Sequence, residues 1–236
     1  MIRPFAVMLA VIFMLFLSGT QDVKAERKFR GQNSAYTEEY SAGREDVQAA
    51  EVDWDKVFVK GAEKRMAGGS TGYPVKMDRL PQNLKDLESM KEGALRDPHM
   101  TAALVVAALA RYPKNKDDAI AMLNFLMGPG ELSNYDKQFL RDRFFDKDYV
   151  PRSYYEGATP ENDYQPSVPY SIVIIETPYS RDNESQGYLK LYVKSGGADS
   201  PRPIELRQKK STGEWFLTQQ MLLGGIRVPA SSDPWN

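Results

Sequence analysis

Residues 97–112, DPHMTAALVVAALARY, place the strongest constraint on the fold, because 102–110 contains no polar side chain. A helix that is apolar on every side has to be covered on every side. These nine residues are about half of what a helix needs to cross a bilayer. The sequence therefore predicts a central helix in the core of a folded domain, with Asp97 as its N-cap and Pro113 just beyond its end.

The pattern of apolar residues divides the rest of the chain into a helical part and a strand part. Helical spacing covers 80–95, 117–127 and 133–145, and strand-like patterns cover 170–177, 188–193, 204–209 and 214–220. We predict an α+β fold in which the amino-terminal helices pack on a carboxy-terminal antiparallel meander sheet of about four strands. The alternative is a helical subdomain beside a separate β-sandwich.

The amino terminus has the pattern of a secretory signal. Arg3 precedes an unbroken apolar run at 5–17, and Val23-Lys24-Ala25 fits a cleavage site with small residues at its first and third positions. We expect cleavage and export to the periplasm, the cell surface or the extracellular space, with no membrane span afterwards. An uncleaved anchor helix is the alternative.

The remaining domain limits follow from composition. Residues 26–72 are polar and poor in periodic hydrophobicity, and they end in the glycine-rich run GGSTG at 68–72. The predicted organisation is a signal peptide at 1–25, a polar and largely disordered arm at 26–76, a single α+β domain at 77–229 and a tail at 230–236. Within the arm, 52–59 has the apolar residues to dock as a short strand or a helical turn.

Composition excludes several classes of site. The chain has no cysteine and one histidine, His99, so it offers neither a thiolate nor a zinc site with several histidines. Its formal charge is −1, and Lys and Arg are spread along it. We therefore expect no metal, no cofactor and no nucleic-acid partner.

Four sequence segments resemble a known bacterial family. They read DPHMTAALVVAALARY, MLNFLMGPGELSNYDKQFLRDRFFDKDYVPRSYYEGATPENDYQPSVPY, GYLKLYVKSGGADSPRPIELRQK and WFLTQQMLLGGIRVP. Over 77–229 the chain is similar to an uncharacterised domain-of-unknown-function family. The resemblance implies one domain, and it implies no activity, ligand or catalytic residue.

Two kinds of residue are candidates for catalysis. His99 lies in the first turn of the predicted central helix, where the helix dipole disfavours protonation, so a neutral general base is one interpretation. A capping or packing role is the other. The carboxylates at 142–163 leave open a hydrolase that acts on glycans with two acidic residues. Solvated ion pairs with neighbouring Lys and Arg are the competing interpretation.

A tyrosine-rich region is the candidate for ligand binding. Eight of the 13 tyrosines fall at 149–192, and Tyr188, Lys190 and Tyr192 alternate along one strand. Arg202 is held between Pro201 and Pro203, and its guanidinium is positioned to bind a carboxylate or a phosphate. The alternatives are ordinary strand tyrosines and an arginine that ties its own loop.

No motif assigns an activity. The sequence has no cysteine, no phosphate-binding loop and no identifiable catalytic partner for its histidine. These absences favour a secreted, non-enzymatic binding or interaction domain of the bacterial cell envelope. The partner would be a cell-envelope polymer or protein. A carboxylate-dependent hydrolase acting on glycans is the alternative.

Overall fold

An antiparallel sheet in the form of a half-barrel dominates the structure, a computed structural model that describes residues 53–90 and 93–235. Six strands follow one another in the order β1-β3-β4-β5-β6-β7, and the short β2 also pairs with β3. The strands are β1 (Phe58–Lys60), β2 (Lys64–Arg65), β3 (Thr71–Met77), β4 (Tyr170–Glu176), β5 (Tyr188–Val193), β6 (Arg202–Lys209) and β7 (Glu214–Gln220).

The helices lie mostly between β3 and β4 in the chain. They are α1 (Trp54–Val57), α2 (Leu84–Ser89), α3 (Gly93–Arg96), α4 (Pro98–Arg111), α5 (Lys116–Met127) and α6 (Asn134–Phe144). Helix α4 is the predicted central helix, and it contacts α5 as well as strands β3 to β7. Helices and sheet therefore share one core, and the prediction of mixed helix and strand is confirmed in that form.

Polar side chains fix where the longer helices begin. Asp97 accepts hydrogen bonds from the backbone N–H groups of His99 and Met100 at the start of α4, as predicted. Ser133 and Asp136 form a reciprocal capping box at the start of α6. These caps satisfy backbone donors that the first helical turn leaves without partners.

The core lies between α4 and the concave face of the sheet. All residues of α4 from Thr101 to Leu109 are buried, and those from Ala102 onward share one hydrophobic cluster with Ile174, Leu191 and Trp215. The alanines of α4 let neighbouring elements approach its backbone closely, which explains why one helix reaches five strands.

The sheet is larger than the predicted four strands, because two of its path strands come from the segment predicted as a disordered arm. Tyr73 of β3 pairs with Ile174 of β4, and Phe58 of β1 pairs with Met77 of β3. Gly72 and Pro74 interrupt the β3 sequence, and both residue types count against a strand. Tertiary pairing on both edges overrides that local preference.

The loop between α6 and β4 contributes several buried tyrosines to the core. Tyr154 and Tyr164 are fully buried, and their hydroxyl groups donate to the carbonyl oxygens of Leu222 and Arg227 at 2.6 and 2.7 Å. Tyr149 stacks on Tyr164. Two of the eight tyrosines at 149–192 therefore hold the carboxy-terminal segment in place through hydrogen bonds.

The predicted signal peptide at 1–25 and the arm as far as residue 52 lie outside the described residues. Within the part of the chain that the structure describes, no helix has the length and apolar character needed to cross a membrane.

Candidate functional site

A chain of alternating charges joins the sheet to the start of the central helix. Lys60 comes from β1, Asp97 and His99 from the amino terminus of α4, and Glu176 from the end of β4. Because β1, β3 and β4 are neighbours in the sheet, their ends meet where α4 begins. We call these four residues the His99 cluster.

His99 occupies the centre of the His99 cluster, and only 5% of its side chain is exposed. Its Nε2 lies 2.8 Å from Oε1 of Glu176, and its Nδ1 lies 3.1 Å from Oδ1 of Asp97. The second oxygen of Asp97 binds Lys60. The ring of Tyr73 stacks on the imidazole with centroids 3.9 Å apart.

The alternation of charges continues towards the surface. Arg181 donates two hydrogen bonds to the Glu176 carboxylate, at 2.9 and 2.6 Å, and a third to Glu184 at 2.6 Å. Two parallel N–H···O bonds are the strongest geometry for an arginine and a carboxylate. Glu176 is thus held by His99 on one side and by Arg181 on the other.

The environment favours the charged forms of His99, Glu176 and Asp97. Burial by itself lowers the pKa of His99, but hydrogen bonds to Asp97 and Glu176 outweigh burial and raise the pKa above its ordinary value. Burial raises the pKa of Glu176, yet the bonds from His99 and Arg181 reverse this and lower it to about 2. Burial also raises the pKa of Asp97, but its bonds to His99 and Lys60 outweigh burial and lower the pKa below its ordinary value.

These interactions make the His99 cluster a poor catalytic centre. Both ring nitrogens of His99 are occupied by carboxylates, so neither is available to take a proton from a substrate. A general acid needs a raised carboxyl pKa, whereas those of Asp97 and Glu176 are lowered. The geometry suits a pin that fixes α4 to β1 and β4 through charge-assisted hydrogen bonds.

The hydrogen bonds to Asp97 and Glu176 raise the pKa of His99, which favours its charged form over the interpretation as a neutral base. The helix dipole does act at this position, but two hydrogen-bonded carboxylates contribute more than the dipole, which is worth about 0.3–1 kcal/mol. Asp97 is two residues away, and Glu176 is 77 residues away in the chain. An Asp-x-His pattern at a helix start was visible in the sequence, but the second partner was not.

No group of three His, Asp or Glu side chains within the described ranges is arranged to hold a metal ion. The carboxylates considered for a hydrolase are mostly at the surface. Asp142 accepts a hydrogen bond from Gln138, and Asp163 accepts one from the backbone N–H of Ser231.

Tyr188, Lys190 and Tyr192 lie on the convex face of the sheet. Their neighbours on β5 (Leu189, Leu191 and Val193) point into the core, while Tyr188 and Tyr192 are half-buried and Lys190 is exposed. Opposite them on β6 stand Arg207, Glu205 and Pro203. We call these six residues the tyrosine face.

Cations cover part of each ring of the tyrosine face. The Arg207 guanidinium lies 5.2 Å from the centroid of Tyr188, and the Lys190 ammonium lies 5.9 Å from the centroid of Tyr192. Tyr192 also pairs with Ile175 of β4, which places an apolar row across three strands. The surface combines flat apolar area with exposed positive charge.

The structure does not bring Arg202 to the tyrosine face. Arg202 pairs with Val193, whose side chain points into the core, and so it faces the opposite side of the sheet. Its guanidinium donates to the carbonyl oxygen of Gly225 at 2.5 Å and to Ser200 at 3.4 Å. Gly225 has φ +66°, and an added Cβ would lie 2.4 Å from this guanidinium. The arginine ties its own loop to the carboxy-terminal segment.

Comparison with known proteins identifies a family and nothing more specific. A family model described as a domain of unknown function (DUF6935) matches residues 79–230. Neither the curated proteins nor the solved structures contain a significant match. The match covers more than half of the chain, and the chain therefore belongs to this uncharacterised domain family.

Proposed function

We propose that the protein is an exported, non-enzymatic binding domain of the bacterial cell envelope and that it binds through the tyrosine face. The observation that carries the proposal is the common orientation of Tyr188, Lys190 and Tyr192 away from the core. Half-exposed tyrosines supply flat contact area at a low cost in conformational entropy, and their hydroxyl groups supply hydrogen bonds.

The charges of the tyrosine face indicate the chemistry of the partner. Lys190 and Arg207 are exposed and rest over aromatic rings, with Glu205 as the single acidic member of the set. An extended polymer that bears carboxylates, such as a cell-wall glycan with peptide substituents, would place its apolar faces on the tyrosines and its carboxylates on these cations.

The envelope location rests on the signal-like pattern of 1–25. A hydrolase remains the competing class for an exported protein that meets such polymers. Because the His99 cluster holds its carboxylates ionised, a hydrolase would have to use other residues.

Binding to defined polymers tests the proposal. Peptidoglycan fragments, neutral glycans and solubilised envelope proteins would be titrated against the full chain and against a Tyr188→Ala, Lys190→Ala, Tyr192→Ala variant. We expect the variant to keep its melting temperature within a few degrees and to lose binding at least tenfold, since two aromatic contacts are removed.

Tyr179→Ala is the matched control, because Tyr179 is 77% exposed and lies outside the tyrosine face. It should bind as the parent does. Equal binding by a folded triple variant would refute the proposed surface. Turnover of a glycan that a single carboxylate substitution abolishes would establish the hydrolase instead.

A further inference from the structure

An apolar stripe crosses the convex face of the sheet at right angles to the strands, and the tyrosine face covers only part of it. Gly72 of β3 pairs with Ile175 of β4, and Ile175 pairs with Tyr192 of β5. Tyr192 in turn pairs with Pro203 of β6. Beyond Pro203, the N–H of Met221 donates to the Pro203 carbonyl oxygen at 3.0 Å. Because paired residues in an antiparallel sheet share one face, these side chains form a continuous row.

Met66 covers the other end of this row. Its Sδ lies 2.9 Å from the point at which a Cβ on Gly72 would stand, and Cγ1 of Val173 lies 3.3 Å from that point. The thioether therefore rests against the backbone of Gly72, where a larger residue would displace it. We call the resulting set of residues the apolar stripe: Met66, Gly72, Ile175, Tyr192, Pro203 and Met221.

The apolar stripe is closed in the middle and exposed at its ends. Ile175 is 4% exposed, whereas Met66 and Met221 are 38% and 56% exposed. The path from β2 through β3, β4, β5 and β6 to Met221 is about 24 Å long, at about 4.8 Å for each pair of neighbouring strands. A partner that follows the stripe therefore has an extended shape.

Three exposed lysines surround the apolar stripe. Lys64 of β2 pairs with Gly72 and so stands at one end of the stripe. Lys190 and Lys194 lie two residues to either side of Tyr192, each about 7 Å from it along the strand direction. Within the described ranges, neither Lys64 nor Lys194 has an ion-pair partner. Their ammonium groups are able to meet negative charges on a ligand.

We propose that the apolar stripe binds an acidic polysaccharide, a chain in which the sugar rings carry carboxylates. This inference rests on the proposed function, and it names the class of polymer and its direction across the strands. Apolar faces of the sugar rings lie on Tyr192, and the carboxylates meet Lys64, Lys190 and Lys194. Glu205 stands opposite Lys190 and offsets one of these charges. The remaining positive charge discriminates an acidic chain from a neutral one.

The flatness of the apolar stripe favours sugar rings over a polypeptide. Peptide partners anchor their side chains in pockets. Between Met66 and Tyr192 the stripe is instead filled, by the buried Ile175 and by the Met66 thioether that rests on Gly72. A sugar ring needs no pocket, because it can lay a flat apolar face on an aromatic side chain.

Isothermal titration calorimetry of the full chain with size-defined oligomers of a uronic acid tests the inference. Neutral glucose oligomers of the same lengths, polyglutamate and vesicles that contain an anionic lipid are the comparison ligands. We expect the affinity for uronic acid oligomers to increase with length until the oligomer spans about 24 Å, and to fall as the salt concentration rises. Neutral oligomers should bind about tenfold more weakly or less.

A Lys64→Gln, Lys194→Gln variant separates this inference from the proposed function, because both lysines lie outside the tyrosine face. It should keep its melting temperature and bind the longest uronic acid oligomer about tenfold more weakly. A Lys64→Arg, Lys194→Arg variant keeps both charges and should bind nearly as the parent does. Lys85→Gln is the matched control and should leave the affinity unchanged, since Lys85 is an exposed lysine of α2, which packs against α5.

The two lysine-to-glutamine changes and the tyrosine-face variant give distinct outcomes. If the Tyr188→Ala, Lys190→Ala, Tyr192→Ala variant loses binding while the Lys64→Gln, Lys194→Gln variant binds as the parent does, this inference is overturned and the proposed function stands. Full binding by both variants would overturn both. Affinity that does not change with oligomer length, or tighter binding of polyglutamate or anionic vesicles than of uronic acid oligomers, would also overturn the inference.

Discussion

His99 shows how far one side chain's surroundings change its chemistry. The helix start disfavours protonation of its imidazole, yet the hydrogen bonds to Asp97 and Glu176 raise its pKa. A buried ion pair is costly to break from one side, because the remaining charge loses its partner while still out of water. His99 therefore links the folding of the domain to pH.

The first prediction is the pH dependence that His99 confers on stability. Its pKa is raised on folding, so its contribution is complete below the ordinary value of 6.5 and is lost as pH rises through the folded pKa. The carboxyl group of Glu176 works in the other sense, and its contribution is lost as pH falls from 4.5 towards about 2. Urea unfolding should show the largest free energy from the cluster between these limits.

His99 is the single histidine of the chain, so its NMR titration is assigned without ambiguity. The observed pKa should lie above 6.5. In His99→Gln, the loss of stability between about pH 6 and pH 9 should be much smaller than in the parent. A histidine pKa below the ordinary value would contradict the ion-pair arrangement.

A second prediction concerns Trp215, which lies in the core on the same face of β7 as Leu217. Both are buried, at 4% and 7% exposure. Trp215→Ala should lower the free energy of unfolding by about 3–5 kcal/mol. Phe145→Ala is a suitable comparison, because Phe145 is 74% exposed, and it should change stability by less than about 0.5 kcal/mol.

Residue roles were predictable where the deciding partner is close in sequence. The Asp97 cap follows from local pattern alone. The charge state of His99 does not, because Glu176 and Lys60 reach it only through the pairing of distant strands. The sequence leaves Arg202 with two interpretations, a ligand contact and a tie to its own loop, because its partner, the carbonyl oxygen of Gly225, is likewise distant in the chain.

At the scale of one element, the N-cap residue of α4 has two roles, because it caps the helix and also forms ion pairs. Asp97 accepts the first backbone N–H groups of the helix and also binds Lys60 and His99. Ser133 of α6 is a cap without ion pairs. Comparing the two caps therefore separates the contribution of capping to stability from the contribution of the charge.

The third prediction uses this difference. Ser133→Ala should cost about 1 kcal/mol, the usual value of a cap. Asp97→Ala should cost about 3 kcal/mol or more, because it also leaves His99 with one carboxylate fewer. Asp97→Asn keeps the cap and removes the charge, so it should fall between the two and lower the pKa of His99. Equal losses for Asp97→Ala and Ser133→Ala in urea unfolding would refute the pinning role.

Most elements could be predicted from sequence within a few residues. The capped helices and the alternating strands β5 and β7 have strong local signals. Strand β3 has a weak signal, since Gly72 and Pro74 break its pattern. It is a strand because β1 and β4 supply partners on both edges.

At the scale of the whole molecule, the folding unit is larger than the family match. The match begins at residue 79, after β1, β2 and β3. Those strands complete the sheet and supply Lys60 and Tyr73 to the surroundings of His99. The family boundary therefore does not mark the start of the domain.

The fourth prediction is that a fragment beginning at residue 79 does not fold. It would leave the edge of β4 unpaired and α4 without the Lys60 contact, and an open apolar edge favours aggregation. A fragment beginning at residue 53 should unfold cooperatively in urea and elute as a discrete species. Cooperative unfolding of the shorter fragment would show that the upstream strands are dispensable.

The fifth prediction concerns processing of the complete chain. In a native-like bacterial host, intact-mass measurement should find a mature protein that begins at Glu26. Lys24→Ala leaves the small residues Val23 and Ala25 in place and is the control that should still be processed. An intact precursor retained inside the cell would remove the basis for an envelope function.

The pairing of β3 with β4 also sets the order of events during synthesis. Tyr73 pairs with Ile174, which is synthesised about a hundred residues later, so this pair cannot form until then. Contacts of such long sequence separation are slow to form, because loop closure precedes any gain in stability. Until β4 emerges from the ribosome, the upstream strands and helices have no sheet to close on. Such a nascent chain stays open for longer than a helical bundle of the same length, because its sheet contacts join residues that are distant in the sequence.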